Sequence, residues 1–230
     1  MKVAIIPARG GSKRIPRKNM KMFCGKPIIS YSIESALSSG LFDEVFVSTE
    51  DKEIADFSKS KGAVVPQYRS NKNADDYATT SDVLLEVISY YASQNKKPDL
   101  ICCIYPTSPL INAQDINDAY NLFCKESFDV VISSVKFSFP IQRGFRLSES
   151  KEICVLDSAA INKRSQDLLE TYHDAGAFYI FDTEKFLKNK SLWKGSRGAY
   201  VLSEIKVQDI DSLEDWKLAE LKYEFLQGNK

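Results

Sequence analysis

The chain has one histidine, five cysteines and no net charge, since 31 Lys and Arg balance 31 Asp and Glu. It also lacks any apolar run long enough to span a bilayer. Each shortage excludes something. Cys24, Cys102, Cys103, Cys124 and Cys154 form no CxxC pair, and a single histidine leaves a Cys/His zinc site short of ligands. Buried, reduced thiols are the expected state, with the adjacent Cys102 and Cys103 pointing to opposite faces of a strand. A balanced charge argues against a surface built to hold nucleic acid. The apolar stretch after Met1 and Lys2 is too short for a signal peptide, so no membrane contact and a cytoplasmic location are expected.

Acidic residues are absent from the first stretch altogether. None precedes Glu34, whereas Lys2, Arg9, Lys13, Arg14, Arg17, Lys18, Lys21 and Lys26 all lie there. A local excess of this kind in a neutral chain points to one anionic ligand near the N-terminus.

What remains is ordinary for a globular enzyme: 230 residues, 43% hydrophobic and 27% charged, suited to one α/β domain over 1–230. Apolar runs at 3–7 (VAIIP), 44–49 (EVFVST) and 100–105 (LICCIY) read as strands, the last buried on both faces. Further strands are expected over 63–66, 129–135, 177–181 and 201–207. Helical spacing recurs over 27–37, 52–61, 80–94 and 115–125 and from Ser212 onward, with Gly62 as a C-cap. This alternation predicts a mostly parallel sheet with helices on both faces. The rhythm breaks over 137–173, which is expected to be a small inserted arm reaching a partner subunit.

The strongest local signal is IIPARGGSKRIPRKN at 5–19. A strand ends in two glycines that permit a tight turn, followed by a hydroxyl at Ser12 and charges at Arg9 and Lys13 that suit a triphosphate. The loop is neither a Walker loop nor GxGxxG. Ligands in open α/β sheets bind beyond the carboxyl ends of strands, where this loop falls. Later in the chain Asp209 and Asp211 flank Ile210. On a strand-like stretch both carboxylates face one side and can share a Mg²⁺. The same segment also reads as a helix start, with Asp211 or Ser212 as N-cap and Asp215 closing the box.

The loop closely resembles the signature of the acylneuraminate cytidylyltransferases, the family that includes the CMP-sialic acid synthetases. The resemblance continues through VSTED at 47–51, YPTSPL at 105–110 and VQDIDSLEDW at 207–216, in order and over nearly the whole chain. Within the family, CCIYPTSP, FPIQR, RSQDL, YHDAG and QDIDSLEDWKLAELKY look most like the branch that activates pseudaminic acid. The resemblance implies a Rossmann-like α/β fold, a homodimer, a Mg²⁺ requirement, CTP as donor and a nine-carbon 2-keto sugar acid as acceptor.

It further implies phosphate contacts at Arg9 and Lys13, with Ser12 between them and Lys18 as a weaker candidate. Asn19 matches a position near the ribose and base. Arg69 and Thr80 match the cytosine side, although Thr79 and Thr80 read equally well as helix caps. Asp209 and Asp211 match the metal pair. The sugar side departs from the sialic acid enzymes: Tyr105 stands in place of Gln, Ile111 in place of Arg, and Ala175-Gly176-Ala177 in place of NGA. Arg143 and Arg164 are candidates for the sugar carboxylate, either of them acting in trans. His173 is either structural, a hydrogen-bond partner of the sugar, or a base.

Other readings use the same residues. One activates N-acetylneuraminic or legionaminic acid by the same chemistry. Another is a non-catalytic nucleotide-binding protein that kept the loop, against which the intact DxD pair argues. A nucleic-acid binder using KRIPRK conflicts with the neutral charge.

Overall fold

The computed structural model describes residues 1–75 and 77–228. The chain opens with β1 (Lys2–Pro7), in which Ala4 and Ile6 pack on one side of the sheet and Val3 and Ile5 on the other. A short hairpin follows, β2 (Met22–Phe23) and β3 (Lys26–Pro27), turned by Cys24 and Gly25 at φ 43° and 98°. Next come α1 (Ile29–Ser38), β4 (Glu44–Ser48), α2 (Lys52–Ser60), α3 (Thr80–Ser93), β5 (Leu100–Ile104), α4 (Ala113–Glu126) and β6 (Val130–Lys136). A second hairpin, β7 (Phe145–Leu147) and β8 (Ile153–Val155), precedes β9 (Tyr172–Asp182), α5 (Thr183–Asn189), β10 (Arg197–Leu202) and α6 (Leu213–Gly228).

The main sheet has six strands in the order β10-β6-β9-β5-β1-β4. Only β9 runs antiparallel to its neighbours, β5 and β6; the other pairs are parallel. This is the mostly parallel α/β sheet that the alternation predicts, and the Rossmann-like fold that the resemblance implies. One face is covered by α1, α2 and α4 through Ile33, Ile54 and Ile116, the other by α3 and α5 through Leu84, Tyr91 and Phe186. Cys102 and Cys103 divide between those faces, as strand geometry requires. Burial pushes the Cys102 thiol well above its usual range and that of Cys103 up to about 12, so both behave as small hydrophobes.

Several expected boundaries move. The strand expected over 63–66 is a single bridge, Val64 to Phe46, because Pro66 has no N–H with which to continue a ladder. The strand expected over 201–207 lies at Arg197–Leu202, on the edge of the sheet, where every other residue is exposed and the apolar signal is weak. β9 begins five residues before the expected 177, carrying Tyr172–Ala175 along β6.

A third, smaller cluster lies at one end of the sheet. Ile15 from the basic loop packs there with Phe23, Ile28 and Tyr31, and with Ile210, Trp216 and Ala219 from the far end of the chain. Phe23 is its centre, edge-on to Tyr31, Trp216 and Tyr223 at 5.4, 5.6 and 5.7 Å. Residues 137–173 contribute to none of the three clusters among the described residues, and Phe139, Leu147, Ile153 and Leu169 stand exposed on this arm. No helix among the described residues is long and apolar enough to cross a membrane.

Candidate active site

β1 and β5 end side by side, and the residues that follow them, Ala8 onward and Tyr105 onward, form two adjoining hollows of about 170 and 230 Å³. Pro7, Arg9 and Tyr105 line both, so the hollows form one continuous cleft. The first is walled by Ser12, Lys13, Arg14, Lys18 and Asn19; the second by Arg69, Thr79 and Thr80. Seven of the expected residues, Arg9, Ser12, Lys13, Lys18, Asn19, Arg69 and Thr80, therefore converge with Tyr105 on one cleft at the carboxyl edge of the sheet.

The loop is braced from beneath. Asn19 is 5% exposed and its Nδ2 donates to the Arg9 carbonyl at 2.8 Å, closing the loop across ten residues. That bond uses one of the two amide protons to brace the loop, and Asn19 also lines the first hollow. Arg9 donates to the carbonyl of Asp75 at 3.0 Å, bridging to the second hollow. Gly10 N–H donates to Glu50 Oε1 at 2.6 Å, and a Cβ at Gly10 would come within 2.6 Å of Asp51 Oδ2. Gly10 is thus demanded by close approach, whereas a Cβ at Gly11 would meet nothing within 4 Å. Arg17, at φ 54°, pairs with both Asp51 and Glu53. Glu50 and Asp51 belong to the VSTED station, but nothing in the sequence assigned them a role; the clue was their place directly after β4, the parallel neighbour of β1.

The carboxylate pair comes to the same loop. Ile210 is 2% exposed and anchors the segment in the third cluster beside Ile15. Lys18 Nζ donates to the Ile210 carbonyl at 2.7 Å and stands 3.8 Å from Asp211 Oδ1, while Arg14 donates to Asp211 Oδ2 at 2.6 Å. Burial lowers the Lys18 pKa, and the charges of Asp211 and Asp209 oppose that fall. The helix-start reading holds too, in its Ser212 form: Ser212 and Asp215 exchange hydrogen bonds, with Ser212 N–H donating to Asp215 Oδ2 at 2.8 Å and Asp215 N–H to Ser212 Oγ at 3.2 Å. The Asp211 carboxylate is left out of the capping.

In the second hollow Arg69 is 7% exposed, with Nε donating to Ser48 Oγ at 3.0 Å and Nη2 to the Ser48 carbonyl at 2.5 Å. Desolvation lowers its pKa, and Glu50 works against that. Thr79 and Asp82 form the capping box of α3, so Thr80 is not the cap; its hydroxyl lies 2.8 Å from the Tyr105 hydroxyl. The Tyr105 ring meets Tyr179 edge-on at 5.8 Å, and Tyr179 donates to the Asp174 carboxylate. Burial raises the pKa of both tyrosines, keeping them protonated donors. Tyr179 and Asp174 escaped notice because only the β5–β9 register, Cys103 opposite Tyr179, brings them to Tyr105.

The remaining sugar-side residues lie elsewhere in this chain. Arg143 donates to the Lys163 carbonyl and to Ser165 Oγ, and Arg164 pairs with Asp167 at 2.9 Å, all within the arm. His173 is exposed on β9, with Nδ1 2.9 Å from the Asp174 carbonyl and its ring against Phe137 at 4.6 Å. None of the three lines the cleft.

No group of three or more His, Cys, Asp or Glu among the described residues is arranged to hold a metal ion. Two carboxylates bordering a basic loop do fit Mg²⁺, which commonly takes one or two carboxylates and completes its octahedron with water and substrate phosphates.

Ligands of open α/β sheets bind beyond the carboxyl ends of the strands, where this cleft lies, and the chain is a nucleotidyltransferase. It belongs to the cytidylyltransferase family, whose model matches residues 3–222. It is 42% identical over 221 residues to a pseudaminic acid cytidylyltransferase of Campylobacter jejuni, covering 96% of this chain and 95% of that one. It is 31% identical over 233 residues to a CMP-N,N'-diacetyllegionaminic acid synthase of Legionella pneumophila, covering 98% and 97%. Among solved structures, CMP:2-keto-3-deoxy-manno-octonic acid synthetase complexed with CTP superposes with a TM-score of 0.69 over 99% of both chains, at 17% identity, a likeness of fold.

Proposed function

We propose that the enzyme joins CTP to a nine-carbon 2-keto sugar acid, pseudaminic acid in the first instance, and releases pyrophosphate. The observation that carries this reading is the 42% identity, over nearly the full length of both chains, to a relative of that name. The cleft supports it. Transfer puts the anomeric 2-hydroxyl of the sugar onto the α-phosphorus of the nucleotide, so negative charge must be met where it builds. Arg9 and Lys13 meet the triphosphate, Ser12 adds a hydroxyl donor, and Lys18 supplies a cation poised between the loop and Asp211. Asn19 holds the loop's shape through Arg9. Arg69 and Thr80 form the cytosine wall, Thr80 being oriented by Tyr105. Asp209 and Asp211 would hold Mg²⁺, which neutralises charge on the phosphates when bound.

Tyr105 lies where the two hollows meet and is assigned to the sugar side of the junction. The whole chain is taken as a single domain, with 137–173 as an arm that docks on a second copy. Its exposed Phe139, Leu147, Ile153 and Leu169 suit such a homodimer, in which Arg143, Arg164 or His173 reaches the partner's sugar site. Five unpaired cysteines suit a reducing compartment, in keeping with work in the cytoplasm on soluble substrates.

The test is pyrophosphate release from CTP and Mg²⁺ with a panel of pseudaminic, N-acetylneuraminic and legionaminic acids. Turnover should be greatest with pseudaminic acid. A preference for legionaminic or N-acetylneuraminic acid would replace the acceptor and keep the chemistry. No turnover and no CTP binding by a folded protein would leave only the family fold.

A further inference from the structure

The acidic turn after β4 grips the basic loop at two points, one near each end. Glu50 Oε1 accepts from Gly10 N–H at 2.6 Å, at the loop's start. Asp51 and Glu53 accept from the two terminal nitrogens of Arg17, at the loop's end. Asp51 packs against Gly10 so closely that a Cβ there, 2.6 Å from Asp51 Oδ2, would push the carboxylate aside. It also caps α2 through Ile54 N–H at 3.0 Å, so the grip is referred to a helix rooted in the sheet. Within the loop the backbone supplies little of its own: Ser12 N–H donates to the Gly10 carbonyl at 3.1 Å, and the next turn is closed by Met20 N–H on the Arg17 carbonyl at 2.9 Å. Arg17 takes up φ 54°, a left-handed conformation that a non-glycine residue holds only when its surroundings impose it.

We propose that the turn 50–53 is the template that sets the loop in its nucleotide-binding shape, with Arg17 a positioning residue clamped by Asp51 and Glu53 and not a ligand of the phosphates. The proposal rests on the reading of 9–19 as the CTP loop. The Arg17 guanidinium faces the acidic turn, and Arg17 is absent from the residues lining the cleft. Despite its partial burial, Asp51 is held below the usual carboxylate range by Arg17 and by backbone N–H groups, so the pair is fully ionised at neutral pH. A loop held at both ends in advance loses less conformational freedom when it closes on a triphosphate.

The test uses Asp51→Asn, Arg17→Ala and the double variant in the full-length enzyme, with CTP dissociation constants from titration calorimetry, kcat and KM for both substrates, and melting temperatures. Asn keeps the α2 cap and removes the charge that holds Arg17. Each single variant should weaken CTP binding by about tenfold, within the range of energies reported for coupled charge pairs. KM for the sugar should stay near its original value, and the double variant should be no worse than Arg17→Ala alone. Arg17→Lys should rescue only part of the loss, because a fork is replaced by a point charge. If Arg17 instead bound phosphate, Asp51→Asn would leave CTP binding intact or tighten it while Arg17→Ala weakened it, and the proposal would fall. Equal CTP affinity in all variants with lowered melting temperatures would reduce the clamp to a structural contact and also overturn it. Absence of CTP binding by the unaltered enzyme is a different result, against the function itself.

Discussion

Lys18 Nζ donates to the carbonyl oxygen of Ile210 at 2.7 Å, joining the basic loop to the carboxylate segment across 192 residues of chain. The contact explains how a lysine can be half-buried and still serve a charged ligand. Its cost of desolvation is offset by Asp211 and Asp209, and a triphosphate would offset it further. The free enzyme holds Lys18 below the ordinary lysine range, and bound nucleotide should bring it back up. CTP binding should therefore take up protons at alkaline pH, with affinity greatest below the Lys18 pKa of the free enzyme and declining as pH rises through it. Calorimetry in buffers of different ionisation enthalpy measures that uptake. Lys18→Arg, which stays charged throughout, should abolish it.

Asp211→Asn should lower turnover about a hundredfold or more, or demand far more Mg²⁺, since a metal clamp on transferring phosphates is worth several kcal/mol. The melting temperature should change little, because Ser212 and Asp215 carry the α6 cap without it and the pair with Arg14 is solvent-exposed. An unchanged rate and unchanged Mg²⁺ dependence would remove Asp211 from the metal site. Asp209→Asn should act in the same direction.

Lys13→Ala should reduce kcat by roughly 10²- to 10³-fold, the usual effect of deleting one donor aimed at developing charge. Its side chain is exposed at the cleft, so circular dichroism should show an unaltered fold. Near-normal turnover by the folded variant would contradict the assignment.

CTP should support far faster pyrophosphate release than UTP, ATP or GTP, because the wall of the second hollow is rigid. Arg69 is pinned to Ser48 twice over, and Thr80 is fixed by Tyr105. Arg69→Ala should also cost about 1–3 kcal/mol in stability by taking the donor from the buried Ser48 hydroxyl, the Ser48 carbonyl keeping its bond from Ala8 N–H. Equal rates with UTP would show that this wall does not read the base.

Ile210→Ala should destabilise the protein by about 2–5 kcal/mol, as deletions of fully buried aliphatic side chains do, and should raise the Mg²⁺ requirement by loosening both flanking aspartates. Denaturant unfolding and Mg²⁺ titration of activity measure the two effects separately. A loss of stability with unaltered Mg²⁺ dependence would detach the cluster from the site.

Much of this was legible in the residues themselves. Leu100–Ile104 reads as a buried strand because every one of its residues is apolar, and the charge excess before Glu34 marks the loop without any structure. Other features had no such signal. The strands of the β2–β3 hairpin are two residues long, too short for periodicity to register. β7 and β8 are exposed on both faces, so they show no alternation. The site was legible where neighbours in sequence are neighbours in space. It was not where register decides, as with the Tyr179–Asp174 pair that the β5–β9 register brings to Tyr105. Asn19 has a part that its position in the motif does not reveal: its amide also braces the loop through the Arg9 carbonyl.

The third cluster has a consequence for how the enzyme comes into being. Ile15, Phe23, Ile28 and Tyr31 leave the ribosome long before Ile210, Trp216 and Ala219, which cover them. Until the C-terminal helix docks, the underside of the nucleotide loop is an open apolar surface and the carboxylate segment has no seat. The central sheet can assemble during synthesis, since β1, β4 and β5 lie within the first half of the chain. Competence to handle nucleotide therefore arrives as a late step, and a chain cut short before Trp216 would fold its sheet and remain inert.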